Sequence, residues 1–255
     1  MNSSVPLAGY IDLHAHILPG LDDGASSMQM ALNMARMAVA DGIVAMVATP
    51  HLNPASNWNN GAEIVSRSVD VLRRHLHEAQ IPLTIYGAAE VRLNAHTQKQ
   101  LQTGFAPLLT QHNAKGKCRY VLTEFAHAGL QGGELYMCEL LVHKGYTPVI
   151  AHPERIRTFR HDPSRLEPFM ALGCKTQVTC SSVCGSYGEK TAAVIDTWIE
   201  QGWVQVLATD THDIHHRQPA MRDAVRLVAQ QFGVDKATQM VMTNPQRILD
   251  GQALA

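Results

Sequence analysis

The sequence predicts an α/β fold in which about seven parallel strands close into a distorted (β/α)7 TIM-like barrel. Short apolar runs alternate with helical patterns along all 255 residues, which is typical of parallel strands joined by helical crossovers. Several runs are apolar or β-branched throughout, as in strands buried on both faces. Histidines and carboxylates follow six of the runs at their carboxyl ends. Because linkers, repeats and low-complexity segments are absent, we expect one domain over residues 1–255.

The elements follow from local patterns. Strands are expected at residues 9–14, 43–48, 83–88, 120–123, 148–151, 175–179 and 204–208. The first helix is expected to begin at an N-cap formed by Ser26 or Ser27 and to end before Gly42. Three apolar stripes at helical spacing are expected to face the core: Met28, Ala31, Leu32, Ala35 and Val39; Val65, Val69, Leu72 and Leu76; Leu135, Cys138, Leu141 and Val142.

Nine candidate ligands lie at or just after the strands: His14, His16, Asp23, His51, Glu90, Glu124, His152, Asp210 and His212. In a strand, residues i and i+2 share a face, so the rings of His14 and His16 can reach one ion. Asp210 and His212 repeat this spacing. Imidazole with carboxylate suits manganese, iron, cobalt or zinc. A buried, unpaired carboxylate is costly, so Glu90 after its apolar run also favours a bound cation.

These candidate ligands decide between an open sheet and a closed barrel. In an open sheet of strands about 4.8 Å apart, the edges would lie roughly 25 to 30 Å from each other. Metal–ligand bonds are only about 2 Å long, so ligands of one cluster cannot be spread so far. Closing the sheet brings all strand ends to one mouth, where barrel enzymes carry their sites.

Composition argues against several other functions. A formal net charge of -1, without a basic run, predicts neither a nucleic-acid partner nor binding to an anionic membrane. The first six residues do not resemble a signal peptide. The sequence contains no uncharged apolar stretch of about 18 residues, so we expect no membrane-spanning segment. Five cysteines are an odd number, and we expect them as free thiols of a cytoplasmic protein. The oligomeric state, including a homo-oligomer, is left open.

Several motifs resemble a known family. Residues 12–24 read Asp-Leu-His-Ala-His-Ile-Leu-Pro-Gly-Leu-Asp-Asp-Gly, and residues 48–51 read Ala-Thr-Pro-His. Residues 87–92 are Gly-Ala-Ala-Glu-Val-Arg, 151–155 are Ala-His-Pro-Glu-Arg, and 209–212 are Thr-Asp-Thr-His. Together they resemble the bacterial protein-tyrosine phosphatases of the PHP (polymerase and histidinol phosphatase) superfamily. The resemblance runs in register from about residue 10 to about residue 250.

The resemblance implies a PHP-type barrel with three divalent ions, manganese before iron, cobalt, zinc or magnesium. It implies a phosphotyrosine-containing tail of a bacterial tyrosine autokinase as substrate, and thus a role in capsule or exopolysaccharide synthesis. By motif, Arg155 and Arg217 would bind phosphate and, with His212, form the catalytic set. The implied ligands are His14, His16, Glu90 and Asp210 for the first ion; Glu90, Glu124 and His152 for the second; Asp23, His51 and His212 for the third.

Three segments depart from the family pattern. The last motif has Thr209-Asp-Thr-His where Ser-Asp-Ala-His is more usual, which spares both candidate ligands. The segment 125–133 and the loop 180–188 also differ, and both are expected at the barrel mouth. We therefore expect these segments to affect substrate preference and not the ligand set.

The residues themselves support phosphate chemistry. Three divalent cations against four carboxylates and one hydroxide leave roughly +1, which suits a phosphate dianion. Hydroxide bridging two ions is a nucleophile at neutral pH, and an arginine can hold two phosphate oxygens at once. No arginine stands six positions after any cysteine, which argues against a cysteine-dependent phosphatase.

Three rivals stay open at this point. One is a PHP-type phosphatase of a small phosphomonoester such as histidinol phosphate. Another is an amidohydrolase, although its usual bridging lysine is replaced here by Glu90 and Glu124. The third is a catalytically silent barrel that binds metal or a partner. Of the remaining histidines, His127, His215 and His216 are expected to border the pocket.

Overall fold

Ten β-strands and eleven α-helices alternate along residues 8–254, the part of the chain that the computed structural model describes. The N-terminal segment judged unlike a signal peptide lies outside the described residues. The strands are β1 (Tyr10–Ala15), β2 (Ile43–Ala48), β3 (His51–Asn53), β4 (Trp58–Asn59), β5 (Thr84–Gly87), β6 (Glu90–Arg92), β7 (Arg119–Glu124), β8 (Tyr146–Ala151), β9 (Lys175–Thr179) and β10 (Val206–Ala208).

The longer helices cover the outside of the sheet, and shorter ones shape the loops. They are α1 (Met28–Asp41), α2 (Ala62–Glu78), α3 (Thr97–Gln102), α4 (Glu134–His143), α5 (Arg157–His161), α6 (Glu167–Ala171), α7 (Cys180–Val183), α8 (Glu189–Glu200), α9 (Arg222–Phe232), α10 (Val234–Thr238) and α11 (Asn244–Leu249). Three 3₁₀ turns (Pro54–Ser56, Pro153–Arg155, Pro163–Leu166) and a π-helical segment (Gln239–Thr243) complete the set.

The strands close into a distorted barrel with seven strand positions around its circumference, as the sequence predicted; each position is called a stave below. β2 and β3 form one interrupted stave, and β5 and β6 form the next, so two hydrogen-bonded sheets share these staves. β7, β8, β9 and β10 follow in parallel. Closure comes from β1 against the segment after β10, where Asp210 N donates to His14 O at 2.8 Å and His16 N donates to Thr211 O at 2.8 Å. The carboxyl ends of all staves therefore meet at one mouth.

Two apolar clusters hold this arrangement. The larger lies between strands and helices and contains Met46, Ile150 and Trp198. The smaller takes alternate residues of several strands, which is the pattern of side chains that fill a barrel interior. It comprises Ile11, Leu13, Ala45, Val47, Ala88, Leu109, Tyr120, Leu122, Val149, Ala151, Val206, Ala208, Ile248 and Leu249.

Local predictions were partly right. Ser27 caps α1 by accepting from Met30 N, and Gly42 ends the helix with φ 102°. The assignment of Leu135 to a core face was wrong: it is 41% exposed, because Glu134, Cys138 and Leu141 are the residues that α4 buries. The strand expected at residues 204–208 begins only at Val206. Within residues 8–254, none of the helices is long and apolar enough to cross a lipid bilayer.

Candidate metal and phosphate site

The first group of candidate ligands lies inside the barrel mouth. His14 Nε2 and His16 Nε2 are 3.1 Å apart. Glu90 Oε2 lies 3.2 and 3.3 Å from these nitrogens, and Asp210 Oδ1 lies 3.3 Å from both. Four ligands around a tetrahedral ion with bonds of about 2.1 Å would be separated by about 3.4 Å. All four side chains are buried, so their spacing fits a single enclosed cation.

Hydrogen bonds to the other ring nitrogens orient these two histidines. His14 Nδ1 donates to Gln177 Oε1 at 2.8 Å, and His16 Nδ1 donates to Asp22 Oδ2 at 2.7 Å. This arrangement leaves both Nε2 lone pairs facing the cluster, as outer partners of metal ligands do. Asp22 Oδ2 also accepts from His51 N at 2.9 Å. Neither Asp22 nor Gln177 was predicted as a site residue, although Asp22 lies in the first motif that carried the resemblance.

Two further groups adjoin the first. Glu90 Oε1 lies 2.8 Å from His152 Nε2, and Glu124 comes together with His152 in a second cluster of possible ligand atoms within 4.8 Å. In a third cluster, Asp23 Oδ1 lies 3.4 Å from both His51 Nε2 and His212 Nε2. All nine candidates from the sequence are therefore brought to one mouth. Glu90 joins the first two groups, since its two oxygens face different histidines.

Several of the converging atoms are buried without a hydrogen-bond partner among the described residues. They include Glu90 Oε2, Asp210 Oδ1 and His212 Nε2. Buried polar atoms are rarely left unpaired, so each needs a physical reason. A divalent cation supplies one, because these are lone-pair donors that point at the same space. The donor set thus fits the metal ions that its residue types predicted.

The pKa values of the clustered residues also reflect the crowding of buried carboxylates and imidazoles. Burial raises the pKa of Glu124 to about 7, and the nearby charge of Glu90 adds to the rise. Burial lowers the pKa of His152 to about 4, so its ring is neutral at pH 7. Burial acts most strongly to lower the pKa of His51, but the charge of Glu90 and hydrogen bonds to Asp23 and Glu90 together outweigh it and raise the value to about 10. In the protein alone, a protonated histidine therefore balances charge that a cation would otherwise neutralise.

Two candidate ligands sit on backbone that non-glycine residues seldom adopt. His152 has φ 32° and Asp210 has φ 53°, both in the left-handed region, directly after β8 and close after β10. Such residues cost of order 1–3 kcal/mol each and cluster at functional sites. Both turns direct the side chains into the mouth instead of along the strand.

Two arginines border the cluster. Arg155 Nη1 and Arg217 Nη2 both donate to Asp210 Oδ2. Arg155 is buried and lies beneath the Tyr187 ring, 5.2 Å from its centroid, whereas the Arg217 side chain is 37% exposed. Both line the cavity of about 220 Å³ at the ligand cluster and a neighbouring cavity of about 250 Å³. The two guanidinium groups therefore lie where the ligand cluster meets the neighbouring cavity.

The loops that depart from the family pattern surround these cavities. Ser181, Cys184 and Ser186 line the larger one with His215 and His216. His127 lines the smaller one, where it groups with Glu124 and His152. Its part in this cluster was missed, because the sequence placed it only at the pocket border. Position 127, three residues after the end of β7, was the available signal.

A closed barrel with buried imidazole and carboxylate clusters beside two arginines defines the class of metal-dependent hydrolases that act on phosphate esters. Residues 10–250 match the family described as "Capsular polysaccharide synthesis, CpsB/CapC". The chain belongs to this family. The match extends over all strands of the barrel and over all nine candidate ligands and both arginines.

Curated relatives agree with this membership. The chain is 32% identical to "Tyrosine-protein phosphatase YwqE" of Bacillus subtilis over 246 residues, which are 96% of this chain and 93% of that protein. It is 26% identical to "Tyrosine-protein phosphatase CpsB" of Streptococcus pneumoniae, over 96% of this chain and 100% of the other.

Solved structures agree as well. A crystal structure from the pair YwqE and CpsB, described as unique metal-dependent tyrosine phosphatases, matches with a TM-score of 0.88 and 31% identity. It covers 96% of both chains. A phosphotriesterase homology protein from Escherichia coli matches with a TM-score of 0.60 and 12% identity, over 95% of this chain and 99% of that one. At that identity, the likeness concerns the fold alone.

Proposed function

We propose that this protein is a metal-dependent phosphatase that hydrolyses phosphotyrosine in a protein substrate. The observation that carries the proposal is the convergence of nine ligand-type side chains beside Arg155 and Arg217 at one mouth. The names of the relatives support the reaction, since YwqE and CpsB are called tyrosine-protein phosphatases. The barrel supplies the rigid frame that such a site requires.

The proposal includes three divalent ions, manganese first among them. His14, His16, Glu90 and Asp210 would hold one ion. Glu90, Glu124 and His152 would hold the second, and Asp23, His51 and His212 the third. When bound, such ions supply Lewis-acid stabilisation of phosphoryl oxygens and a water-derived nucleophile at neutral pH.

The arginines would bind and orient the phosphate. Each guanidinium can donate two parallel hydrogen bonds to phosphate oxygens. In the protein alone, both donate to Asp210 Oδ2, which keeps their charge beside the cluster. Burial between Asp210 and Tyr187 limits the rotamers of Arg155, so its donors are preorganised for charge that develops in the transition state. Arg217 is more exposed and can contact the ester as it enters from the neighbouring cavity.

His212 would hold the third ion in position and would not transfer a proton. Its Nδ1 donates to Asp210 O at 3.0 Å, which directs Nε2 towards Asp23. The cavity of about 220 Å³ is lined in part by the buried side chains of Glu90, His152 and Asp210. Beside these buried groups, each electrostatic contact is stronger than it would be in bulk water.

For the biological substrate, we propose the phosphotyrosine tail of a bacterial tyrosine autokinase that controls capsule or exopolysaccharide synthesis. The family description supports the capsule connection. A cytoplasmic location and the single-domain boundary at residues 1–255 stay predictions from the sequence.

A substrate panel tests the proposal. Manganese-loaded protein is assayed on a phosphotyrosyl peptide, the matched phosphoseryl peptide and histidinol phosphate, each with and without chelator. We expect the phosphotyrosyl peptide to be turned over fastest and chelator to abolish turnover. A preference for histidinol phosphate would contradict the substrate class, and chelator-resistant turnover would contradict the metal dependence.

A further inference from the structure

We propose that His127 is a fourth protein ligand to the second ion, in addition to Glu90, Glu124 and His152. A ring nitrogen of His127 comes within 4.8 Å of ligand atoms of Glu124 and His152. The rings of His127 and His152 lie 5.0 Å apart at 69°, so they approach edge to face, not stacked. This inference rests on the proposed metal-dependent function, but it concerns a residue that the motifs do not assign to the ions.

The turn that carries His127 is anchored on both sides. Phe125 is buried and packs against Phe169, with ring centroids 5.5 Å apart. Arg92 Nη1 donates to Phe125 O at 3.1 Å, and Arg157 N donates to His127 O at 2.9 Å. The backbone at position 127 is therefore held at the mouth, although the residue itself is exposed. A ligand on a tethered turn loses little conformational entropy when it binds an ion.

The proposed second ion has fewer protein donor atoms than the first and therefore has more need of a further one. Glu124 Oε1 lies 3.2 Å from Arg92 Nη1, so Glu124 has one oxygen, Oε2, left for an ion. Glu90 Oε2 faces His14 and His16, and only Oε1 faces His152. His51 Nδ1 also lies 2.9 Å from Glu90 Oε2 and 3.9 Å from Glu124 Oε2. With His51 assigned to the third ion through Nε2, two oxygens and one nitrogen are left for the second ion, compared with four donor atoms at the first position.

His127 would change both the number and the type of donors. With a second imidazole, the set becomes two oxygens and two nitrogens, which completes a tetrahedron or leaves two open positions in an octahedron. Nitrogen donors favour iron, cobalt and zinc over magnesium. The second ion of this protein is therefore expected to discriminate against magnesium more strongly than a site of three ligands would.

Cobalt(II) is a suitable probe because it reports its ligands by absorption. In the His127→Cys variant, a thiolate would replace the imidazole, and thiolate–cobalt coordination gives a charge-transfer band in the near ultraviolet. The wild-type protein controls for the native cysteines, including exposed Cys184. His143→Cys is the matched control, because His143 is an exposed histidine on α4 outside the cluster. The readout does not depend on turnover.

We expect the band in His127→Cys and neither in the wild-type protein nor in His143→Cys. In a second measurement, His127→Ala should bind one cobalt ion about 10- to 100-fold more weakly than the wild type, since even outer partners of ligands contribute that much. Circular dichroism verifies that the variants are folded. Wild-type cobalt affinity in His127→Ala would overturn the proposal for His127 while leaving the proposed phosphatase intact. A wild-type protein that binds no cobalt would overturn both.

Discussion

The first and third ligand groups are neighbours, since a ring nitrogen of His16 in the first lies within 4.8 Å of ligand atoms of Asp23, His51 and His212 in the third. The two groups differ in their surroundings. His14, Glu90 and Asp210 have side chains that are at most 1% exposed, and Gln177 and Asp22 orient the rings of the first group. In the third group, the Asp23 side chain is 48% exposed. The first ion position is therefore preorganised by the barrel, whereas the third depends on a rim loop. We expect the first ion to bind tightly and the third to exchange.

The largest effect is expected from Asp210→Ala. The change removes a proposed ligand of the first ion and the hydrogen-bond partner of Arg155 and Arg217, so turnover of p-nitrophenyl phosphate should fall at least about 10³-fold. Leaving the buried charge of Arg155 unpaired should lower the free energy of unfolding by about 3–5 kcal/mol in the metal-free protein. Hydrolysis of p-nitrophenyl phosphate measures the turnover, urea unfolding measures the free energy of unfolding, and elemental analysis measures the metal content. Asp235→Ala, on the exposed surface of α10, is the control; full metal content in Asp210→Ala would contradict the assignment.

A smaller effect should separate buried Arg155 from partly exposed Arg217. Arg155→Ala should lower kcat/KM by about 10²- to 10³-fold, because a fixed donor to the transition state is lost. Arg217→Ala should have roughly a tenth of that effect, since solvent screens an exposed charge. Both variants should keep the metal content of the wild type. Equal losses in both would show that burial does not distinguish their roles.

Asp23→Ala should affect the rim position alone. One ion per chain should be lost, and turnover should fall about 10- to 100-fold and recover partly with excess manganese. The His14→Ala variant is the comparison, because it should lose the buried ion and not recover. If Asp23→Ala lost every ion at once, the three positions would be coupled and not independent.

The smallest effect is expected from Gln177→Met. Without its Oε1 acceptor, the ring of His14 is no longer held in one tautomer, and the first ion should bind about tenfold more weakly. Chelator competition measures this change. Gln246→Met, an exposed position on α11, is the matched control. An unchanged affinity would mean that packing alone orients His14.

The fold and the predicted ligand positions could be read from the sequence because their signals are local. An apolar run that ends in His14, Glu124 or His152 reports both a strand and a side chain at its carboxyl end. The interruptions at β3 and β6 could not be predicted, since those strands are three residues long and follow Ala-Thr-Pro or Ala-Ala. The ligand-type residues on them were found because a buried carboxylate after an apolar run favours a cation and because both strands begin within motifs that carry the resemblance.

Partners that depend on tertiary contacts were beyond the sequence. Gln177 meets His14 across 163 residues, and no spacing rule connects them. Asp22 was overlooked because its neighbour Asp23 offered the same chemistry, and only the structure shows that one faces His16 while the other faces the rim. Leu135 was misplaced because a weakly amphipathic helix gives periodicity little power to choose a face.

The central claim is that turnover of phosphotyrosine requires ions in this cluster. The most direct measurement is hydrolysis of a phosphotyrosyl peptide by chelator-treated protein as manganese is added in known equivalents per chain. We predict no turnover without manganese and a rise that is complete at about three equivalents, with the last equivalent the most weakly bound. Full turnover by the metal-free protein would contradict the claim.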